Sequence, residues 1–429
     1  MNPKIYKIDR MSLLRTTGGV VVVLLLVQFL TGVLLAFYYV PSVDHAYTTV
    51  SYIEKVVSSG SWIRSLHHYG SQWLTLFIFL HVIQLFLTGA YVSRRIQWIA
   101  AVLVLGLVMA AGGTGYSLPW DARAFFSTRV AEGLVGGLPF VGRNARLWLL
   151  GGSEISTLTL SRFFALHVIL IPAVIAGVVA WRLFRTRVCW PNLTLHAIVA
   201  GLVFVALAVW SWKHPAPLGP SVPEMTAEYL PRPGSQFLWL YQSLKYLPGG
   251  LGSIAGLVLP GVALLLLALL PWLKSQRLIG GGILAVCVLL VSVMTTASYL
   301  SDRRDQHTRQ QLSRQAAQEE TARRQPFKPV PLNLVANASA ASVGPGEPPG
   351  LYVKFCVNCH GQHGEGGRQG PLRFPPLLGV SAKPRRSVED IVGLLKDPQA
   401  YGLQLPMRSF SDKLSEQQMR DIAQWVVKL

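Results

Sequence analysis

Residues 63–93 read IRSLHHYGSQWLTLFIFLHVIQLFLTGAYVS. From residue 71 to 93 the stretch is apolar and long enough to cross a bilayer as a helix, which takes ~20 residues at ~1.5 Å each. It carries His67 and His81, fourteen residues apart. That separation is close to four helical turns, so both rings share one helix face, about 21 Å apart along the axis. A histidine within a span is costly without a partner. Two on one face, one near each membrane surface, have the spacing needed to hang two haems from one helix; a pair of interhelical hydrogen bonds is the plainer alternative.

Working outward, apolar runs of spanning length occur at about 18–40, 71–93, 97–118, 160–184, 192–212, 253–273 and 279–299. The sequence therefore predicts an all-α, seven-span transmembrane bundle. The chain is 51% hydrophobic and only 14% charged, which excludes an ordinary soluble domain of 429 residues. Its formal charge of +19 collects at the ends of the apolar runs and in the tail, which suits anionic lipid; no nucleic-acid motif is present, so no nucleic-acid partner is expected. The basic N-terminus leads into an apolar run too long for a signal-peptide core, without a small-residue cleavage site, and reads as the first span. Lys4, Lys7, Arg10, Arg15, Arg94, Arg95, Arg182, Arg185, Arg187, Lys274 and Arg277 fall on one side, taken as cytoplasmic. An odd span count then places the C-terminal part outside. The expected location is a bacterial inner (cytoplasmic) membrane, multi-pass, with the N-terminus cytoplasmic and the last domain periplasmic.

Residues 301–325 are polar and read as helical, and 326–350 are rich in Pro, Ala, Ser and Gly, the composition of a flexible tether. The last domain begins near Leu351 and contains CVNCH at 356–360, the motif for covalent haem attachment. The Cys356 and Cys359 thiols would bond the haem, and His360 would supply one axial nitrogen. Met407, in LQLPMRSF ahead of a terminal helix, is the candidate second axial ligand, a pairing that raises haem potential. This pattern resembles small monohaem cytochrome c. A zinc site would need a second ligand pair at zinc spacing. Of the four cysteines, Cys189 and Cys287 read as inert packing residues.

The stretches SLLRTTGG, VQFLTG, IRSLHHYGS, GGTGYSLPWD, TLTLSRFF and YLPRPGSQFLWLYQSLKYLPG resemble cytochrome b of the respiratory and photosynthetic cytochrome bc complexes. The likeness covers residues 12–273 or so and looks closest to the photosynthetic type, with both cytochrome b parts joined in one chain. It implies a four-helix haem-binding part (1–190) and a three-helix part (191–300), ahead of the polar helix and tether (301–350) and the small helical cytochrome c domain (351–429) read above. It also implies that His67 and His167 ligate an outer haem b. Gly18, Gly32 and Gly112 would let helix backbones approach haem planes, although small-residue helix packing would serve as well. Arg64 would pair with a propionate.

Three positions depart from the family pattern. The inner haem should hang between His81 and a histidine fourteen or fifteen residues after His167, but Trp181 and Arg182 stand there. Either that haem is absent, or His81 holds it five-coordinate and Arg182 pairs with propionates or an anion; His196 is a weak substitute. The family's Pro-Glu-Trp-Tyr motif, whose glutamate takes a quinol proton, is replaced by Pro233, Gly234, Ser235 and Gln236. Another base would be needed there, with Asp121, Glu224 and Glu228 nearby in sequence. The cysteine that carries an extra covalent haem in the photosynthetic type is Thr16, so no such haem is expected. His45, His68, His214, His307 and His363 read as bland.

The resemblance implies a membrane electron-transfer subunit of a quinol:cytochrome c oxidoreductase. Its expected cofactors are haem b and one covalent haem c. Its expected partners are quinone, a separate Rieske-type iron–sulfur protein, another cytochrome b copy and a soluble or membrane cytochrome c acceptor. The rival expectation is a degenerate paralogue serving as scaffold and electron wire, without its own quinol oxidation site.

Overall fold

The computed structural model describes residues 16–186, 193–222, 229–247, 250–273, 276–327, 349–361, 363–369, 372–374, 376–377, 387–401, 407 and 409–429. Lys4, Lys7, Arg10, Arg15, Arg187, Cys189, Glu224, Glu228, Lys274, most of the expected tether and the side chains of Arg185 and Cys359 lie outside that set.

Among the described residues, seven helices are long and apolar enough to cross a membrane: Thr17–Ala36, Gly60–Leu87, Arg95–Tyr116, Thr157–Arg182, Leu193–Lys213, Gly250–Trp272 and Gln276–Arg304. The second begins at Gly60, eleven residues before its apolar run, because its polar first turns are buried in protein rather than lipid: Arg64 and Ser65 are buried and the Ser65 hydroxyl caps the Ser61 carbonyl. Outward faces carry exposed Phe29, Leu30, Leu202, Leu265 and Leu289, as lipid contact requires.

The first and second spans pack along their lengths, with the third and fifth against the second. Indole N–H groups tie the parts together: Trp62 donates to the Ala208 carbonyl (3.1 Å) and Trp98 to that of Leu267 (2.6 Å). A buried indole left unbonded would cost a desolvation penalty of about 1–3 kcal/mol, so each contact also fixes register. The fourth span is α-helical over Thr157–Phe164, π-helical over Ala165–Leu170 and α-helical again from Ile171. The π-turn surrounds His167 and adds a residue to the local turn, rotating everything beyond it.

After the seventh span the chain turns at Asp305, which is extended (φ −82°, ψ 113°) and caps a new helix, Gln306–Arg324, by accepting from the His307 and Thr308 amides. This polar helix folds back onto the bundle. Gln315 bonds the Leu230 amide through Oε1 and its carbonyl through Nε2, Lys55 Nζ donates to the Ala322 carbonyl, and Phe327 packs edge-on against Tyr52.

Two compact units result, Met1–Lys328 and Pro329–Leu429. In the second, helices Gly350–Phe355, Val388–Lys396 and Glu416–Val427 enclose Tyr352, Ile391, Leu395, Ile422 and Trp425. Ser387 and Ser415 start the last two helices with capping boxes. Two three-residue strands, Gly367–Gln369 and Leu372–Phe374, pair antiparallel in this otherwise helical unit.

Candidate functional site

His67, on the second span, and His167, in the π-turn of the fourth, face each other with ring centroids 6.0 Å apart and planes at 78°. A metal ~2.0–2.1 Å from each of two opposed imidazole nitrogens puts the centroids roughly 6 Å apart. Each ring is oriented through its other nitrogen. Thr31 donates its hydroxyl proton to the Val27 carbonyl (2.6 Å) and so accepts from His67 Nδ1–H (2.9 Å); His167 Nδ1–H donates to the Ala111 carbonyl (2.9 Å). Both Nε2 lone pairs are thereby available to a metal.

These rings lie in a cavity of about 170 Å³ whose lining includes Gly32, Tyr39, Arg64, His68, Gln72, Gly115, Asp121 and Arg123. A Cβ on Gly32 would stand 3.1 Å from His67 Cε1, and one on Gly115 would overlap the His167 ring. Bare backbone on both sides leaves a slot for a flat group. Gly112 lines the same cavity, and a Cβ there would meet Gln236 Nε2 at 3.0 Å and Phe237 at 3.4 Å. Arg64 lines the cavity with its guanidinium already engaged: Nε bonds Glu54 (2.7 Å), Nη1 bonds the Pro217 carbonyl (3.3 Å) and Nη2 the Ala216 carbonyl.

At the other end of the second span, Thr17 Oγ1 lies 3.0 Å from His81 Nδ1, and a Cβ on Gly18 would lie 3.1 Å from the His81 ring. The cavity here is smaller, about 40 Å³, and its lining includes Ala101, Val178, Val179 and Arg182. Arg182 faces the cavity while Trp181 is 50% exposed on the outer surface. The π-turn accounts for this: one added residue moves the position opposite His81 from 181 to 182.

In the second unit, Cys356 ends the helix Gly350–Phe355, and Val357–His360 form the next turn. Tyr352, fully buried, donates from Oη to the Gly361 carbonyl (2.9 Å) and packs on Trp425 at 4.5 Å, fixing the backbone on both sides of the motif. Met407 and Cys356 pack against the same apolar cluster, and His363 is exposed.

The family profile described as Cytochrome b/b6/petB matches residues 4–188, and that described as Cytochrome c matches residues 349–429. The menaquinol:cytochrome c reductase cytochrome b subunit of Geobacillus thermodenitrificans is 38% identical over 172 residues, 40% of this chain and 77% of the relative. Cytochrome b6 of Prochlorococcus marinus (strain MIT 9211) is 38% identical over 160 residues, 37% of this chain and 73% of the relative. The chain belongs to the cytochrome b/b6 family. A solved structure titled "Hyperthermophilic respiratory Complex III" shares the fold, with a TM-score of 0.54 and 21% identity over 67% of this chain and 84% of that one.

This cytochrome b, joined to a cytochrome c domain, is a membrane electron-transfer subunit of the bc type, with haem b and haem c as its cofactors; the relatives do not favour the rival reading as a bare wire. Its segment 233–236 brings no carboxylate to the outer cavity. Gly234 and Gln236 line the cavity, Gln236 Oε1 is buried without a partner, and Ser235 Oγ donates to Gln72 Oε1 (2.5 Å). Gln72 also bonds His68 Nε2 (3.1 Å), so His68, bland in the sequence, belongs to the cavity wall. Asp121 does reach the cavity, but its oxygens accept from the Ala124 (2.9 Å) and Gly219 (2.7 Å) amides. His214 stacks on Trp210 outside both cavities, and His196 is buried on the fifth span.

Proposed function

We propose that this chain is the cytochrome b subunit of a quinol:cytochrome c oxidoreductase, taking electrons from a hydroquinone at the rim of its outer haem cavity, beside Gly234 and Gln236, and delivering them to its own c haem through an iron–sulfur partner. The observation that carries the reading is the opposed pair His67 and His167, each locked through Nδ1, with bare glycine backbone on both sides. Two relatives are named for menaquinol, which supports a hydroquinone substrate. The iron–sulfur partner is a separate Rieske-type protein, since no Rieske cysteine–histidine signature lies in this chain. A second cytochrome b copy and a cytochrome c acceptor complete the assembly, in a bacterial inner membrane with the c domain outside.

Bound haem supplies reversible one-electron chemistry. The residues of this chain set where that chemistry happens. His67 and His167 would present Nε2 to a haem iron, and Thr31 and the Ala111 carbonyl hold those rings in the tautomer that ligation needs. Gly32 and Gly115 would leave room for the ring plane, and Arg64, held by Glu54 and the Ala216 and Pro217 carbonyls, would place its positive charge near a propionate at the cavity wall. Cys356, Cys359, His360 and Met407 hold the single c haem.

The inner site retains half of this arrangement. His81 is oriented by Thr17 and faced by Gly18, but the opposite helix presents Arg182, a cation that cannot give up its proton to bind iron. The residues present therefore do not fit a bis-histidine inner haem, and we assign one bis-histidine haem b to the chain.

The test is haem c reduction in membranes by a short-chain hydroquinone, with the iron–sulfur partner present. The wild-type chain reduces its c haem, and His167→Leu leaves the c haem assembled while abolishing the outer haem b signal and turnover. Haem c reduction unaffected by His167→Leu would contradict the proposal.

A further inference from the structure

The outer cavity has lost the carboxylate of the family motif, yet the fold returns one from an unexpected direction. The helix Gln306–Arg324 lies across the outer loops and turns Glu319 inward, with its side chain only 13% exposed, onto the guanidinium of Arg123. Arg123 is itself part of the outer cavity wall, as are Asp121 and Tyr116. Tyr229 is buried beside Gly219 and stacks on Phe126. Glu319 and Arg123 are 196 residues apart in sequence, and the anchors of Gln315 on Leu230 and Lys55 on Ala322 hold the helix in place.

The charges in this cluster do not cancel. Glu319 pairs with the Arg123 guanidinium and Asp121 is close enough for its charge to act on both, while nearby Arg64 is matched by Glu54, so two carboxylates face one unmatched guanidinium in a poorly solvated place. Asp121 is fixed by two backbone amides, so Glu319 is the member placed to change protonation. Burial pushes its carboxyl above the usual range, and the Asp121 charge adds to this, against the pull of Arg123. Burial also pushes the Tyr229 phenol up to about 12, so it remains protonated. Proton uptake by Glu319 leaves Arg123 matched by Asp121 and the cluster neutral, the favoured state at low dielectric.

We propose that Glu319, carried back by the helix that follows the seventh span, receives the proton released in the outer cavity, in the role that segment 233–236 has lost. The inference rests on the outer cavity being the place of hydroquinone oxidation. In the proton step, one hydroquinone O–H bond breaks with its electron pair left on oxygen, and water at the cavity rim carries the proton past Arg123 to a Glu319 carboxylate oxygen. One electron then goes to an iron–sulfur centre and one to the outer haem, and the second O–H proton leaves to solvent, so that the product is quinone. Glu319 stands behind Arg123 at the cavity rim and accepts the proton there without touching the hydroquinone.

The experiment compares Glu319→Gln, Glu319→Asp and Gln315→Ala in the full chain within its complex. Hydroquinone turnover is followed against pH, with haem b spectra and redox-difference infrared spectra. Glu319→Gln is expected to lose about 100-fold in kcat with KM and haem spectra unchanged. It should also lose the fall in activity toward acid pH and a carboxylic C=O band. Glu319→Asp restores the pH dependence. Gln315→Ala loosens the helix but keeps the pH profile. A Glu319→Gln chain with wild-type kcat, pH profile and infrared bands overturns the proposal. So does Gln315→Ala reproducing every loss of Glu319→Gln, which would make the contact structural only. If the wild-type chain oxidises no hydroquinone, the reading of the cavity falls first and Glu319 with it.

Discussion

One methyl group distinguishes the two candidate glycines on the third span. Gly115→Ala drives a Cβ into the His167 ring, whereas Gly112→Ala meets the far end of Gln236 at 3.0 Å, a side chain able to shift. Gly115→Ala should therefore deplete haem b from the assembled chain, and Gly112→Ala should leave the haem b absorption per polypeptide unchanged. Equal depletion in both variants would count against the assigned face. Thr31→Val keeps volume but removes the acceptor of His67 Nδ1–H. Loss of such an orienting partner typically costs 10–100-fold in affinity or activity, to be read from haem retention on dilution. The sequence places His67 and His81 by helical spacing, and His167 by the resemblance to cytochrome b. It does not separate Gly112 from Gly115, since both stand within one turn of GGTGY and only the facing ring decides which is needed.

At the scale of elements, the π-turn Ala165–Leu170 decides which residue faces His81. Spacing alone leaves Trp181 and Arg182 open, because a hydrophobic pattern carries no mark for one extra residue in a turn. With Arg182 in the inner cavity, Arg182→His should complete the inner pair and add a second low-spin haem b signal, while Trp181→His, on the lipid-facing side, should not. A gain from Trp181→His would show that the rotation is wrong. The helix Gln306–Arg324 reads as helical from its sequence, but its docking does not: it has no apolar stripe, and it is held by hydrogen bonds and an ion pair with residues 85 to 267 positions away. Breaking a buried pair by removing one partner typically costs about 3–5 kcal/mol. Arg123→Ala, at a rim position a quarter exposed, should approach the lower end of that range and make residues 306–327 accessible to protease.

For the whole molecule, the seven spans and the c domain were legible because length, hydropathy and CVNCH are local signals. The division of labour was less so, since it depends on which cavities the spans enclose. A c domain on the same chain makes electron delivery intramolecular, with an effective concentration that can reach the millimolar range for short flexible links. Splitting the polypeptide within residues 329–348 should make haem c reduction depend on the concentration of the separated domain; a rate unchanged at high dilution would argue against delivery through the covalent link. The central claim is that one intact bis-histidine site, the outer one, serves this cytochrome b, whose haem c is carried on the same chain. Pyridine haemochrome analysis of the purified chain, combined with low-temperature electron paramagnetic resonance of the oxidised protein, tests it most directly. The account predicts one haem c and a single bis-histidine haem b signal that disappears in His167→Leu; two bis-histidine haem b signals per haem c would contradict it.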